Sequence, residues 1–212
     1  MAFWFRRGSE DTLSIHLDFA GGIFRVRIEL VPYQDKWATE FKLLQNKLSN
    51  RLTALAPVIE HIGSTSVPGL WAKPILDIMV GLKSEEELDQ LVTLLEGDDF
   101  HYIPAYNAGT PFRRFFIGVK SGSHEGMVPH KDRSSHIHAV PVHSDWWREH
   151  LLFRDYLISD ARARNEYAEV KRELSRLEWK DGNEYAAAKQ EIICRILEEA
   201  KKARGMKGNS VI

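Results

Sequence analysis

The chain has 212 residues, of which 43% are hydrophobic and 28% are charged, and its formal net charge is −1. This composition is typical of a globular protein, and the near-zero net charge argues against nucleic acid as a partner. No apolar run approaches the roughly 20 residues that a membrane span requires, so we expect no membrane partner. The single cysteine, Cys194, excludes an intrachain disulfide bond and favours a reducing, cytoplasmic location.

The first distinct pattern is an alternation of apolar and polar residues on both sides of Gly21-Gly22. Such alternation around a two-residue turn predicts an N-terminal β-hairpin. The register of a two-residue loop places six apolar side chains on one face: Ile15, Leu17, Phe19, Phe24, Val26 and Ile28. A lone hairpin cannot bury such a face, so we expect it to pack against the rest of the domain or to mediate oligomerisation.

Hydrophobic periodicity predicts helices mixed with strands up to about residue 142, and helices alone from residue 145 onward. The predicted helices cover residues 34–55, 84–95, 146–159, 161–179 and 184–203. The predicted strands cover residues 58–62, 75–80, 100–103, 112–119 and 136–142. Such a mixture predicts an α+β fold, in which helices flank a mixed β-sheet and a helical portion follows at the C-terminus.

The stretch between the strands 58–62 and 75–80 carries the residues best suited to chemistry. Gly63, Ser64 and Thr65 lie in the connecting loop, and Asp77 follows on the second strand. Glycine lets the backbone approach a ligand closely, and backbone N–H groups and hydroxyls suit a phosphate. A carboxylate on the next strand could hold a divalent cation beside that phosphate. The plainer interpretation is a tight connection in which Asp77 caps a turn or pairs with Lys73.

His136 and His138 lie two residues apart on a predicted strand, so both side chains point to the same face. Imidazoles at this spacing could share a metal ion or a phosphate. The alternative is an exposed strand face with two ordinary histidines, because a metal site needs a third ligand that spacing does not identify.

Three cations lie where the helical period predicts apolar side chains: Arg154, Lys171 and Lys189. A lone buried cation is costly, so each must pair with an acid, bind a ligand or extend to water. For any single one, an ion pair or extension to water is the simpler explanation. Together, opposite a Gly-Ser loop and an aspartate, they indicate an anionic ligand.

The run IEHIGSTSVPGLWAKPILDIMV at residues 59–80 resembles the signature of the GrpB-like family, within the nucleotidyltransferase-fold superfamily. The segments HIHAV, DWW and FRDYL, between residues 136 and 157, resemble the second signature of that family. The resemblance places Gly63, Ser64 and Asp77 at positions of the superfamily's pattern, and it allows His138 to replace a third acid. The second acid of that pattern falls at Met79, which puts a standard two-metal reaction in doubt.

These observations predict a hairpin extension at residues 1–27, a GrpB-like domain at 28–204 and a flexible tail at 205–212. We expect the domain to bind a nucleotide or phosphorylated small molecule, either as a metal-dependent nucleotidyl or phosphoryl transferase or as a degenerate form of one. Gly63, Ser64 and Thr65 would hold phosphate. Asp77, as the catalytic residue, would hold Mg²⁺ or Mn²⁺ with His136 and His138. Four cations would neutralise the ligand: Lys73, Arg154, Lys171 and Lys189.

An alternative of a different class is a non-catalytic binding or folding-accessory module. The family resemblance extends to the segment that is appended to some dephospho-CoA kinases, where such a role has been suggested. Met79 favours this alternative, because a single aspartate makes a poor site for two metal ions.

Overall fold

The computed structural model describes residues 25–97, 99–107, 109–120 and 128–205. Most of the predicted hairpin falls in residues 1–24 and most of the predicted tail in residues 206–212, and both lie outside the described residues. The hairpin, its proposed role in oligomerisation and the domain bounds therefore stay predictions.

A mixed five-stranded sheet organises the described chain, and its strand order is β2-β3-β6-β5-β4. The pairing of β3 with β6 is parallel, and the other three pairings are antiparallel. A separate two-stranded sheet pairs β1 with β7. The strands in chain order are β1 (Val26–Arg27), β2 (Val58–Ile62), β3 (Leu76–Leu82), β4 (Phe100–Tyr102), β5 (Arg114–Val119), β6 (Arg133–Pro141) and β7 (Glu178–Trp179).

The register of the three inner strands brings the candidate site residues together. Asp77 of β3 lies opposite His136 of β6, and Met79 lies opposite His138. Phe115 of β5 lies opposite His138 from the other side. Because side chains alternate between the two faces of a sheet, all five share one face. This face is called the site face below.

Six α-helices form in the described part of the chain: α1 (Lys36–Arg51), α2 (Glu85–Leu95), α3 (Asp145–Ser159), α4 (Ala161–Ser175), α5 (Gly182–Ala188) and α6 (Gln190–Ala203). Four begin at side-chain caps, in which Ser84, Ser144, Asp160 and Asp181 accept hydrogen bonds from backbone N–H groups. None of the helices that the structure describes is both long and apolar enough to cross a membrane.

Two helices differ from the sequence-based expectation. The helix expected over 161–179 ends at Ser175, because Glu178 and Trp179 form β7 and pair with β1. The helix expected over 184–203 is interrupted at Lys189, which has φ −87° and ψ −3° and separates α5 from α6. The first difference arises from a contact between distant segments, which local periodicity does not record.

The two faces of the sheet are covered differently. Helices α1 and α2 pack on the face opposite the site face and bury Trp37, Leu48, Leu88 and Leu91 at 1% exposure or less. On the site face, the tryptophans at the start of α3 cover the part of β3 around Met79. Helices α3, α4 and α6 form a second apolar cluster with the loop that follows β2. The part of the site face around Asp77 is left more accessible, since 34% of the Asp77 side chain is exposed.

Candidate functional site

The turn after β2 places the backbone directly against Asp77. Gly63 has φ 70° and ψ −170°, a conformation that is essentially restricted to glycine. A Cβ atom at this position would lie 2.8 Å from Cβ of Asp77 and 2.9 Å from its Cγ. The turn continues as a short 3₁₀ helix, Ser64–Ser66, in which the Ser66 hydroxyl donates to the Gly63 carbonyl at 2.6 Å. Glycine is therefore required here by both its conformation and its contact with Asp77.

The carboxylate of Asp77 is paired with an imidazole on the neighbouring strand. Nδ1 of His136 lies 3.2 Å from Oδ1 of Asp77. Burial acts to raise the pKa of the Asp77 carboxyl, but the hydrogen bond from His136 and the charges of His136, His138 and Lys73 outweigh it. The net pKa of Asp77 is lowered, so this carboxylate is ionised at neutral pH.

Lys171 connects α4 to the Gly-Ser turn. Its Nζ donates to Oγ of Ser64 at 2.8 Å and also to the carbonyl oxygen of Trp71. The residue is only 3% exposed. Burial, followed by the charge of Lys189, holds the pKa of Lys171 well below its usual value. The turn that carries Ser64 is thus held by a buried cation with two neutral partners.

Tyr167 lies one helical turn before Lys171 and belongs to the same cluster. Its hydroxyl forms a hydrogen bond with Ser64, while burial raises its pKa. The Tyr167 ring lies under Lys171, with Nζ 5.4 Å from the ring centroid. Ser64 therefore contacts both residues of the Tyr–Lys pair that α4 supplies.

Lys73 and Lys189 share a second aromatic ring, that of Tyr185. Their Nζ atoms lie 5.9 Å and 4.7 Å from its centroid, respectively. Burial, with the charge of Lys189, lowers the pKa of Lys73 to about 8, and burial also lowers the pKa of Lys189 to about 8. Neither lysine makes a salt bridge to a carboxylate of the described residues. The buried Tyr185 hydroxyl has no hydrogen-bond partner among those residues either.

One arginine that sequence reasoning did not place in the site lies close to it. Arg133, at the start of β6, is 6% exposed and its Nε donates to the Val128 carbonyl at 3.0 Å. Burial lowers the pKa values of Lys73 and His136, and the charge of Arg133 lowers both further. The sequence offered no signal for Arg133, because it falls in a stretch that was expected to be a loop.

Arg113 and Arg114 divide between the two faces of the sheet. Arg114 faces α2, where it pairs with Asp89 at 2.6 Å. Arg113 lies over the Phe115 ring at 5.5 Å and lowers the pKa of His138. Burial lowers the pKa of Arg113 itself to about 10. The site face therefore carries a further desolvated cation near His138.

Two of the predicted ligand-binding residues have structural partners. Thr65 is 1% exposed, and its Oγ1 lies 2.9 Å from Nε2 of His61. Arg154 pairs with Glu60 at 2.7 Å and with Asp155 at 2.9 Å, so its charge is already balanced within the protein. A role for either residue in ligand binding stays a prediction.

The predicted metal ligands do not form a compact donor set. Nδ1 of His136 is engaged by Asp77, and His138 packs between Phe115 and Trp146 at centroid distances of 5.0 and 5.3 Å. Within residues 25–97, 99–107, 109–120 and 128–205, no group of three or more His, Cys, Asp or Glu side chains is arranged to hold a metal ion.

The position of the superfamily's second acid is part of the core. Met79 is fully buried and clusters with Ile62, Val140, Trp146 and Trp147. Mg²⁺ prefers several oxygen ligands, and Asp77 is a single carboxylate, so the residues present do not fit a resident divalent cation. The expectation of Mg²⁺ or Mn²⁺ at Asp77 stays a prediction.

Two hollows of the described surface lie away from this cluster. One, of about 320 Å³, lies between α3 and α6 and includes Tyr156 and Arg204. The other, of about 670 Å³, lies beside α1 and includes Lys36 and Lys47. Neither contains Asp77, so the candidate site is distinguished by its charged groups and unpaired polar atoms.

The sheet order and the Gly-Ser turn facing a carboxylate on the next strand define an α+β protein of nucleotidyltransferase-like fold. A solved structure, the conserved protein GrpB from Enterococcus faecalis, aligns with a TM-score of 0.68 at 27% identity and covers 84% of this chain and 99% of that chain. A family model described as "GrpB protein" matches residues 27–199.

The chain belongs to the GrpB family. The UPF0157 protein SCO7215 of Streptomyces coelicolor is 36% identical to it over 189 residues, which cover 89% of this chain and 92% of the relative. A protein named dephospho-CoA kinase, from Mycolicibacterium paratuberculosis, is 27% identical over 181 residues. That match covers 79% of this chain but 44% of the kinase.

Proposed function

We propose that this protein binds a nucleotide or another phosphorylated small molecule where the Gly63-Ser64 turn meets the C-terminal helices. This proposed binding region is called the cleft below. Lys171 and Ser64 would contact the phosphate from one side, and Lys73 and Lys189 from the other. Asp77 would lie at the base of the cleft, close to the phosphate.

The observation that carries this proposal is the excess of cations over acids in the cluster. Burial has the largest effect on the pKa values of Lys73, Lys171 and Lys189 and lowers all three. The charge of Lys189 further lowers the pKa values of Lys73 and Lys171, and Asp77 is the carboxylate that acts on all three lysines. Lone desolvated cations cost free energy unless an anion joins them. A bound phosphate would remove this cost, because charge-assisted hydrogen bonds to ammonium groups are among the stronger contacts in proteins.

We propose binding, and not transfer, as the core of this function. Metal-assisted phosphoryl transfer depends on cations held at fixed positions beside the phosphate. With Met79 in the apolar core, Asp77 is the one carboxylate that the described residues offer beside the three lysines. Asp77 as a catalytic residue is therefore a further prediction, to be examined once a ligand is known.

The test is the melting temperature of the purified protein at pH 7 with ATP, ADP, pyrophosphate and the uncharged nucleoside adenosine. A ligand that binds only the folded state at 100 times its Kd stabilises that state by about 2.7 kcal/mol. We expect the three phosphate-bearing compounds to raise the melting temperature and adenosine to have less effect. The absence of any shift at millimolar concentration of these compounds would refute the proposal.

Matched lysine variants assign the effect to the cleft. Lys189→Met removes a cation from the cluster, whereas Lys202→Met removes an exposed lysine from the far end of the adjoining helix α6. We expect the first variant to reduce the phosphate-dependent shift and the second to preserve it. An equal reduction in both would show that the probes respond to overall charge and not to this cleft.

A second candidate function is a non-catalytic accessory module. The similarity to part of a protein named dephospho-CoA kinase supports it, since the match covers 44% of that protein. Under this proposal the cleft would be a binding surface that serves a neighbouring catalytic domain. Co-expression of this chain with a dephospho-CoA kinase that lacks such a segment tests it. An increase in soluble, active kinase would support the accessory role, and no change would count against it.

A further inference from the structure

We infer that the cleft binds the oligophosphate part of its ligand without a divalent cation, because four cations of this chain take the place of the metal. The inference rests on the proposed function and specifies the class of ligand: a compact chain of two or three phosphates. The four cations are Lys73, Lys171, Lys189 and Arg133.

The first argument is that the acids of the site do not fit a metal. Asp77 is engaged by His136, and the second acidic position is Met79, which is fully buried. The described residues contain no group of three or more potential ligands arranged around a metal ion. A divalent cation would therefore gain one carboxylate oxygen from the protein, while it prefers six or more oxygen ligands.

The second argument is that cations already occupy the surroundings of Asp77. Burial raises the pKa of Asp77, and the charge of Lys73 is among the interactions that lower it. Burial and the charges of Lys189 and Lys73 lower the pKa of Lys171, whereas the charge of Asp77 raises it. Burial and the charge of Lys189 lower the pKa of Lys73, and the charge of Arg133 lowers it further. An added Mg²⁺ ion would face several positive charges at short range and a single negative one. Coulomb repulsion in this partly desolvated cleft disfavours the metal and favours an anion.

The third argument concerns the size of the anion. The four cations come from separate parts of the chain: the loop before β3, helix α4, the junction of α5 with α6, and the start of β6. The Nζ atoms of Lys73 and Lys189 lie over the Tyr185 ring, whereas Nζ of Lys171 donates a hydrogen bond to Oγ of Ser64. Four cations and one carboxylate leave three positive charges unbalanced when all five groups are ionised. A single phosphate carries too little charge to balance them, but a diphosphate or triphosphate chain does.

Hydrogen bonding supports the same ligand class. The buried Tyr185 hydroxyl has no partner among the residues that the structure describes. Buried polar groups are normally paired, and an unpaired donor costs free energy. The Tyr185 hydroxyl lies on the ring that carries both lysines, where it could donate to a phosphate oxygen.

The experiment is isothermal titration calorimetry of the full chain with inorganic triphosphate, pyrophosphate and orthophosphate. Each titration is run at pH 7 in EDTA and again in excess MgCl₂. We expect triphosphate to bind in EDTA at least as tightly as in MgCl₂, and about tenfold more tightly than orthophosphate. Binding of triphosphate that requires Mg²⁺ would overturn the inference while leaving the proposed function standing. No binding of any probe under either condition would overturn both.

Two variants sharpen the result. Lys73→Met removes one of the four cations, and we expect it to weaken triphosphate binding in EDTA by about tenfold. Asp77→Asn removes the carboxylate that a metal would need and that repels a bound phosphate, and we expect it to increase the affinity for triphosphate in EDTA. Loss of triphosphate binding in Asp77→Asn, with the melting temperature retained, would show that a metal held by Asp77 is required. Lys202→Met serves as the control for the loss of one positive charge.

Discussion

Gly63 and Asp77 are matched by direct contact, since a Cβ atom at residue 63 would lie 2.8 Å from Cβ of Asp77. The contact arises because β2 and β3 pair antiparallel, with Ile62 opposite Asp77. The chain therefore leaves β2 immediately beside the carboxylate, and only a residue without a side chain can follow.

The first prediction is that Gly63→Ala destabilises the protein more than Gly69→Ala. Gly69 also has a positive φ, 79°, but a Cβ there would have no atom within 4 Å. Backbone strain alone costs about 1–3 kcal/mol at such positions, and the contact with Asp77 adds to that cost only at residue 63. Urea unfolding measures both variants. Equal losses of stability would show that Asp77 moves away from the added methyl group at little cost, so that its contact with residue 63 does not require glycine.

The second prediction concerns Lys189 and pH. Its pKa is lowered by burial to about 8, from an ordinary value of 10.5. Between pH 8 and 10.5 the unfolded chain holds a proton that the folded chain has lost, so the free energy of unfolding rises with pH in this window. Below pH 8 the folded state carries the full cost of the buried charge. We therefore expect Lys189→Met to be more stable than the wild type at pH 7, with a difference that shrinks towards pH 10.5.

Urea unfolding at pH 7, 8, 9 and 10, with Lys202→Met as the control, checks this expectation. A Lys189→Met variant that is less stable than the wild type at pH 7 would contradict it. Such a result would mean that Lys189 is stabilised by an anionic partner in the folded protein.

The third prediction separates Lys171 from Lys189, although both follow a tyrosine by four residues. Lys171 donates to Oγ of Ser64 and to the carbonyl of Trp71, and Lys189 makes no such bond to the described residues. Lys171→Met removes both of these hydrogen bonds, and we expect a loss of about 1–3 kcal/mol. The Tyr167→Phe variant, which removes the other hydroxyl at Ser64, should lose less. If Lys171→Met were as stable as Lys189→Met, the contact of Lys171 with Ser64 would not contribute to the free energy of unfolding.

The fourth prediction is that Arg154 stabilises the fold and contributes little to ligand affinity. Its Nη1 lies 2.7 Å from Oε2 of Glu60 on β2, and 2.9 Å from the His61 carbonyl oxygen. Arg154→Met leaves Glu60 unpaired, and we expect a loss of about 1–3 kcal/mol, partly recovered in the double variant with Glu60→Met. Pyrophosphate affinity should stay within about twofold, since an already balanced charge adds little. A loss of affinity as large as that of Lys73→Met would place Arg154 in the binding site.

The fifth prediction concerns the position where the superfamily has its second acid. Met79 is fully buried among apolar and aromatic side chains. Met79→Asp would place an unpaired carboxylate there, and we expect a loss of about 3 kcal/mol or more. Met79→Leu, which nearly conserves volume, should lose less than about 1.5 kcal/mol. A stable Met79→Asp variant with a new Mg²⁺-dependent rise in melting temperature would show that the acidic site can be restored.

The sequence was sufficient for most of the local structure. Strand β2 has the bounds that were predicted, and α2 begins one residue after its predicted start at residue 84. Such features depend on the alternation of apolar and polar residues and on short-range hydrogen bonds, and both are readable within a few residues. The run from residue 59 to 80 was also sufficient to indicate the family, and the comparisons confirm it.

The partners of the charged side chains could not be read in the same way. The helical period indicated that Arg154, Lys171 and Lys189 lie on apolar faces, but it did not distinguish their partners. Arg154 meets Glu60 from 94 residues earlier, and Lys171 meets Ser64 from 107 residues earlier. Periodicity reports which face of an element avoids water, whereas pairing depends on how distant elements pack.

The sequence by itself thus determined the order of the elements, the Gly-Ser turn before Asp77 and the presence of cations on apolar faces. Only the tertiary structure decided which of those cations are balanced by a carboxylate, as Arg154 is, and which have no salt bridge among the described residues. It also placed Arg133 in the cluster and Met79 in the core. The physical reason is that the free energy of a buried charge depends on the charges a few ångströms away, and the chain brings these together only when it folds.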